Sequence, residues 1–219
     1  LFIFLFYLST LHSSLDIKDN MKHQNIDSTE REYFGGWPTN NMIESMKTTN
    51  MELDCPGEVG CECVENKNCN NSNCIKIPRG GYCMPTSGDI FPKFIALDQF
   101  EEYVNLYDFA NQGKFIFIEM GATWCEPCRL LADWLANDNN EITKRKWWKE
   151  EYNILHDMII EGDVYFITIL YEDEFKDNVT YDTLYEWYDN YPDDNIPILA
   201  DSDKFLHTWL KPTGIPAIT

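Results

Sequence analysis

Cys125 and Cys128 stand three residues apart in G-A-T-W-C-E-P-C-R-L-L (121–131), directly after an apolar run. Two thiols at that spacing have three uses: a dithiol/disulfide couple, half of a metal site, or a lock on a turn. The redox use requires a thiolate, because the thiolate and not the thiol attacks a disulfide, and so it requires a depressed pKa. The first turn of a helix supplies this through its unpaired N–H groups and dipole. The spacing brings Cys128 one turn onward on the same side, within reach of a disulfide. Pro127 has no N–H to lose there. A zinc site needs four ligands, yet no cysteine follows Cys128, and His156 and His207 stand alone. A disulfide that closes so short a loop constrains the unfolded chain little. The residues favour a redox pair.

The elements that must position this pair can be read around it. K-F-I-F-I-E-M-G-A (114–122) predicts a central strand covered on both faces. C-R-L-L-A-D-W-L-A predicts a helix with Leu130, Leu131, Trp134 and Leu135 on one face. A second helix is predicted over 144–161, with Trp148, Tyr152, Leu155 and Ile159 inward, and a strand over 163–172. Thr180 could cap a helix whose stripe is Tyr181, Leu184, Tyr185 and Tyr188. I-P-I-L-A-D (196–201) reads as a short strand, and Ser202 could cap D-K-F-L-H-T-W-L. The aromatic stripes read as core. Strand–helix–strand alternation predicts an α/β sheet with right-handed crossovers.

The 219 residues carry 17 Lys+Arg against 37 Asp+Glu, a formal charge of −20. That argues against nucleic-acid partners, which need Lys and Arg to displace phosphate counterions. The chain opens L-F-I-F-L-F-Y-L-S-T-L-H-S-S. This apolar core is far short of the ~20 residues of a membrane span. Residues 1–15 read as the remnant of a secretory signal, with a buried strand or an uncleaved membrane tether as alternatives. Residues 16–54 read as a polar linker, in which Y-F-G-G-W-P (33–38) is a loop or a small docking element. Six cysteines then fall within 55–83: Cys55, Cys61, Cys63, Cys69, Cys74 and Cys83. In a stretch of Asn, Gly, Glu and Pro they read as structural disulfides. Fifteen pairings are open, and such density points to export, to periplasm, cell surface or medium. Residues 84–93 read as a second linker.

W-C-E-P-C resembles the W-C-x-P-C site of the thioredoxin superfamily, and the resemblance, covering residues 94–219, is strongest to its TlpA-like, redoxin-type exported branch. It implies a thioredoxin-like fold, a central mixed sheet flanked by helices. It also implies a thiol–disulfide oxidoreductase that uses no cofactor beyond its own Cys125–Cys128 couple and no metal. Its partners would be protein thiols and disulfides together with an upstream electron donor or acceptor. Cys125 would be the attacking and Cys128 the resolving cysteine. Glu119, six positions before Cys125, matches the family's buried acid that moves protons to and from the second cysteine. T-G-I-P-A-I-T matches the family's cis-proline segment, making Pro216 the cis residue and Ile215 the one whose backbone pairs with substrate. Trp124 and Pro127 would flank that substrate. Three departures stand out. The family continues past the cis-proline with two strands and a helix, so the domain reads as incomplete at its C-terminus. Residues 137–160 carry an insertion. Leu131 occupies the place of an acid found in members that reduce cytochrome thiols. Glu126 should disfavour a thiolate beside it and lean the couple towards reduction of substrates. Two other functions compete. One is a surface binding protein whose cysteine module binds while the thioredoxin-like domain is scaffold. The other is a peroxiredoxin-like peroxidase, for which Thr123 alone is poor support.

Overall fold

The six clustered cysteines close three disulfides in the computed structural model, which describes residues 32–40 and 53–219. The pairs are Cys55–Cys61, Cys63–Cys74 and Cys69–Cys83. A hairpin of β1 (Cys74–Ile77) and β2 (Gly80–Cys83) sets Cys74 opposite Cys83, so one end of it holds half of two disulfides. Cys63, Cys69 and Cys83 are buried with Cys74 packed against them, and sulfur stands in for an apolar core. This module leans on the following domain. Gly60 has φ +89°, and a Cβ there would come within 2.9 Å of the Thr208 carbonyl oxygen. Close backbone approach requires glycine at that point.

Residues 32–40, part of the stretch read as a polar linker, are docked. Tyr33 and Trp37 are buried. The Tyr33 hydroxyl donates to Asp108 Oδ2 at 2.7 Å and the Trp37 indole donates to Asp98 Oδ2 at 2.8 Å. Two aromatics, each with a polar tip that finds a buried acceptor, fix the segment. The signal remnant at 1–15 and the rest of the 16–54 linker, apart from 53–54, lie outside the described residues.

A hairpin of β3 (Ile95–Leu97) and β4 (Tyr103–Asn105) leads to β5 (Phe115–Gly121). The helix α1 (Glu126–Asn137) and the short α2 (Ile154–Ile160) carry the chain to β6 (Val164–Leu170). The helix α3 (Tyr181–Asn190) leads to β7 (Ile198–Ala200), and α4 (Phe205–Leu210) to β8 (Ala217–Ile218). The sheet order is β7-β6-β5-β8, with β5, β6 and β7 parallel and β8 antiparallel to β5. This is a mixed sheet with helical crossovers, as the alternation of elements predicts.

Both faces of the sheet are covered. Ile118 and Met120 pack with Phe94, Val104, Ile167 and Ile169 on one face. Phe117 packs with Leu131, Trp134, Leu135 and Phe166 on the other. The period of two along β5 therefore puts Glu119 on the face beneath α1.

Three local expectations change. The predicted helix over 144–161 is helical in α form only at Ile154–Ile160, preceded by 3-10 turns at Ile142–Lys144 and Glu150–Asn153. Four cations in K-R-K-W-W-K (144–149) would crowd the positive end of a longer helix's dipole. On α3 the buried residues are Leu184 and Trp187, while Tyr185 is 52% exposed, so the inward stripe is rotated from the one predicted. Ser202 does not cap α4. Its hydroxyl donates to the Val179 carbonyl, and the Asp201 carboxylate accepts from the N–H groups of Leu206 and His207 instead.

Candidate active site

Cys125 is the N-cap of α1, with a non-helical backbone at φ −78°, ψ 106° and its sulfur accepting from the Cys128 N–H at 3.2 Å. Pro127 lies in the first turn, where an absent N–H costs nothing. Cys125 and Cys128 are joined by a disulfide with Cα atoms 5.3 Å apart. Both are buried, at 3% and 1% exposure, whereas the neighbouring Trp124 is 37% exposed. In the reduced form the capping N–H and the dipole of this twelve-residue helix would stabilise a thiolate on Cys125.

Glu119 is buried beneath this pair, and its Oε1 has no hydrogen-bond partner among the described residues. Burial pushes its carboxyl up to about 7, against a hydrogen bond from Thr168 that acts the other way. Thr168 is its direct neighbour in the β5–β6 ladder. A cavity of about 20 Å³ opens beside the carboxyl, walled by Leu131, Leu135, Thr168, Trp187 and Asp193. That is room for one water molecule. Gly121 keeps the way to the sulfur clear: a Cβ on it would lie 2.9 Å from Glu119 Oε1 and 3.5 Å from Cys128 Sγ. Those two distances from one point place the carboxylate oxygen and the sulfur no more than 6.4 Å apart.

Trp124 is held from behind. Its indole donates to Glu172 Oε2 at 2.9 Å, Glu172 Oε1 pairs with Lys204 at 2.7 Å, and Lys176 sits 5.3 Å above the ring. The Glu172 backbone carbonyl also accepts from Thr123 N–H. Burial pushes the Glu172 carboxyl up, but the hydrogen bonds from Lys204 and Trp124 outweigh it and leave the group below its ordinary value.

On the other side of the pair the peptide between Ile215 and Pro216 is cis. Pro127, Ile215 and Pro216 line one open groove of about 640 Å³. The strand order β7-β6-β5-β8, with three parallel strands joined by helices and an antiparallel edge strand, is that of a thioredoxin-like fold, and the C-x-x-C stands at the N-terminus of its first long helix. The chain carries a thioredoxin-like domain.

No family model matches the sequence, and no curated protein matches it. Among solved structures it is similar to DsbF of MTB, determined in mixed oxidized and reduced forms, at 17% identity and a TM-score of 0.39, over 57% of this chain and 74% of that one. It is similar also to the thioredoxin domain of a thiol-disulfide oxidoreductase from Bacteroides vulgatus, at 16% identity and a TM-score of 0.38, over 61% and 79%. The fold assignment rests on the strand order and the cysteine pair, not on these scores.

The thioredoxin-like domain thus brings Glu119, Trp124, Cys125, Pro127, Cys128, Ile215 and Pro216 to one end of the sheet. Three features were not foreseen from the sequence. Glu172 and Lys204 fix the tryptophan. A cue existed: Gly121 and Leu170 are ladder partners, so Trp124 and Glu172 leave adjacent parallel strands at the same end. The peptide before Pro56 is also cis, within the cysteine module. Finally, Glu126 is ion-paired with Arg145. This offsets the repulsion Glu126 was expected to exert on a neighbouring thiolate, so the lean towards reduction loses that support. Among the described residues, the sulfurs of Cys63, Cys69 and Cys74 lie within 4.8 Å of one another. They do so because two disulfides stack, and all three are already bonded.

Proposed function

We propose that the chain is a thiol–disulfide oxidoreductase working through Cys125 and Cys128 on protein disulfides outside the cytosol. The observation that carries this reading is the disulfide at the N-terminus of α1 with the buried Glu119 carboxyl no more than 6.4 Å from Cys128 Sγ. In the reducing direction, the Cys125 thiolate attacks one sulfur of a substrate disulfide. A Cys125–substrate S–S bond forms, the substrate S–S bond breaks, and the departing substrate thiolate takes a proton from water. Glu119, as carboxylate, accepts the Cys128 proton. Cys128 then attacks Cys125 Sγ and expels the second substrate thiolate. Two electrons pass from the dithiol to the substrate, and a dithiol donor restores the pair. The segment before cis-Pro216 offers an extended edge for the substrate strand.

Two features support the finer points. Three disulfides within 29 residues suit an oxidising compartment, which favours export. A buried acid beside Cys128, its carboxyl held up by burial, suits it to take and return the proton of that thiol near neutral pH. The test is substrate trapping. Reduced Cys128→Ser should accumulate a mixed disulfide with a model protein disulfide through Cys125. Cys125→Ser should neither trap nor turn over. Turnover by Cys125→Ser at the wild-type rate would overturn the proposal.

A further inference from the structure

The groove beside the redox pair is assembled from three separate parts of the chain. Pro127 and residues 210–217 come from the thioredoxin-like core, Trp147 comes from the insertion after α1, and Met84 follows directly on Cys83 of the disulfide module. The module packs against the thioredoxin-like domain beside this groove. It stands against the end of α4 through Gly60 and Thr208, and Lys211 Nζ lies 4.6 Å over the ring of its Tyr82.

The lining is mostly apolar, with Lys211 its one charged group. Met84, Trp147, Leu210, Pro212 and Ile215 offer apolar surface, and Trp147 is 50% exposed with no ring partner except Trp148 among the described residues. Lys211 is the one cation among the lining residues, and among the described residues it forms no ion pair. Lys211 is one of three cations, with Lys204 and Arg79, that act on the neighbouring His207. Burial and these charges hold its imidazole below its ordinary value, against Glu172. Glu62 acts on Lys211 from the module, and Glu172 is already paired with Lys204. A chain of net charge −20 therefore presents a cationic spot beside its redox pair. An acidic partner would be drawn to that spot and repelled elsewhere, which sets its orientation more than its raw affinity.

We propose that this groove reads the substrate: an extended protein segment whose cysteine is flanked by an apolar side chain, gripped by Met84 and Trp147, and by an acidic side chain facing Lys211. Met84, directly after the disulfide module, is then one wall of the redox site. The proposal rests on the redox reading above and names its substrate class.

The test uses the full chain in its reduced state with three disulfides. Two are cyclic peptides identical except for Glu or Lys beside an apolar residue next to cysteine, and the third is the uncharged 2-hydroxyethyl disulfide. Wild type should reduce the Glu peptide with kcat/KM roughly three- to tenfold above the Lys peptide, the size of one partly exposed charge contact. The ratio should fall as salt rises. Lys211→Glu should invert the ratio, and Trp147→Ala should lower kcat/KM for both peptides. A variant that merely folded badly would lower both rates and leave the Glu/Lys ratio where it was. Equal rates on the two peptides for wild type, or an unchanged ratio in Lys211→Glu, would overturn the specificity proposal while leaving the redox one standing. Failure to reduce 2-hydroxyethyl disulfide at all would overturn the redox reading and this one with it.

Discussion

Glu119 should make the stability of this domain fall as pH rises through a window where few groups titrate, and Glu119→Gln should remove that fall. The carboxyl is buried and its pKa is raised from 4.5 to about 7. A tenfold change in proton affinity between the folded and unfolded chain is worth about 1.36 kcal/mol, so ionising this carboxyl inside the fold costs about 3 kcal/mol relative to the unfolded chain. The native state binds the extra proton between those two values, and stability declines wherever the native state holds more protons than the unfolded one. The cost is absent below pH 4.5, grows between 4.5 and 7, and is complete above 7. Gln keeps the shape and cannot ionise. Urea unfolding with all disulfides intact should therefore give a variant-minus-wild-type stability that climbs by about 3 kcal/mol from about pH 4.5 to about pH 8, in favour of the variant. A constant offset from the new amide leaves the slope untouched. Asp201, raised to about 6 by burial, titrates in both proteins and cancels in the difference. Parallel pH profiles for the two proteins would refute the placement of a titrating acid under the sheet. A group that costs this much is retained for something, and the same variant should slow release of the mixed disulfide by Cys128 at neutral pH.

Three further outcomes follow from the same geometry. Gly121→Ala puts a methyl 2.9 Å from Glu119 Oε1, and overpacking of this kind should cost about 1–3 kcal/mol, read as a lower urea midpoint. Asp201→Ala removes the acceptor for two N–H groups at the start of α4, and a lost cap should cost about 1 kcal/mol, measured at about pH 7.5, where Asp201 is ionised. Glu172→Gln keeps an acceptor for the Trp124 indole but breaks the ion pair with Lys204. Its tryptophan emission should shift, and an unchanged spectrum would argue against the tether.

The sequence made the site legible where local chemistry is enough. W-C-E-P-C after a β-rich run predicts a cysteine at a helix N-terminus with a proline in the first turn, and Cys125 is the N-cap of α1. A strand over 114–122 covered on both faces was equally readable, but such a strand shows no period of two, and the burial of Glu119 was implied only by the resemblance. Where long-range packing decides, the sequence misled. Tyr185 obeys a helical stripe as well as Trp187 does, and only the direction from which β7 and the core approach selects the latter. The residues 144–153 keep a helical apolar spacing, yet their cations and the seating of Trp148 against Trp134, ring centroids 4.9 Å apart, hold them in turns. Asp201 and Ser202 are both competent caps, and the burial of Asp201 at the end of β7 settles which one reaches the α4 amides. Tyr33 and Trp37 gave the faintest sign, since the carboxylates that hold them lie 75 and 61 residues away. Disulfide pairing is of the same kind: spacing permits fifteen solutions, and only the hairpin register, Cys74 opposite Cys83, shows how two of the bonds are brought together.

The most direct test of a working redox pair is the midpoint of Cys125–Cys128 itself. The full chain is equilibrated in thiol/disulfide buffers of defined potential, alkylated, and digested, and the free thiols at this pair are counted by mass apart from those of the module. A two-electron transition between about −270 and −120 mV, the range of thioredoxin-fold couples, is the predicted result. A pair that stays bonded below about −300 mV, as structural disulfides do, would contradict the redox assignment and leave Cys125–Cys128 a staple.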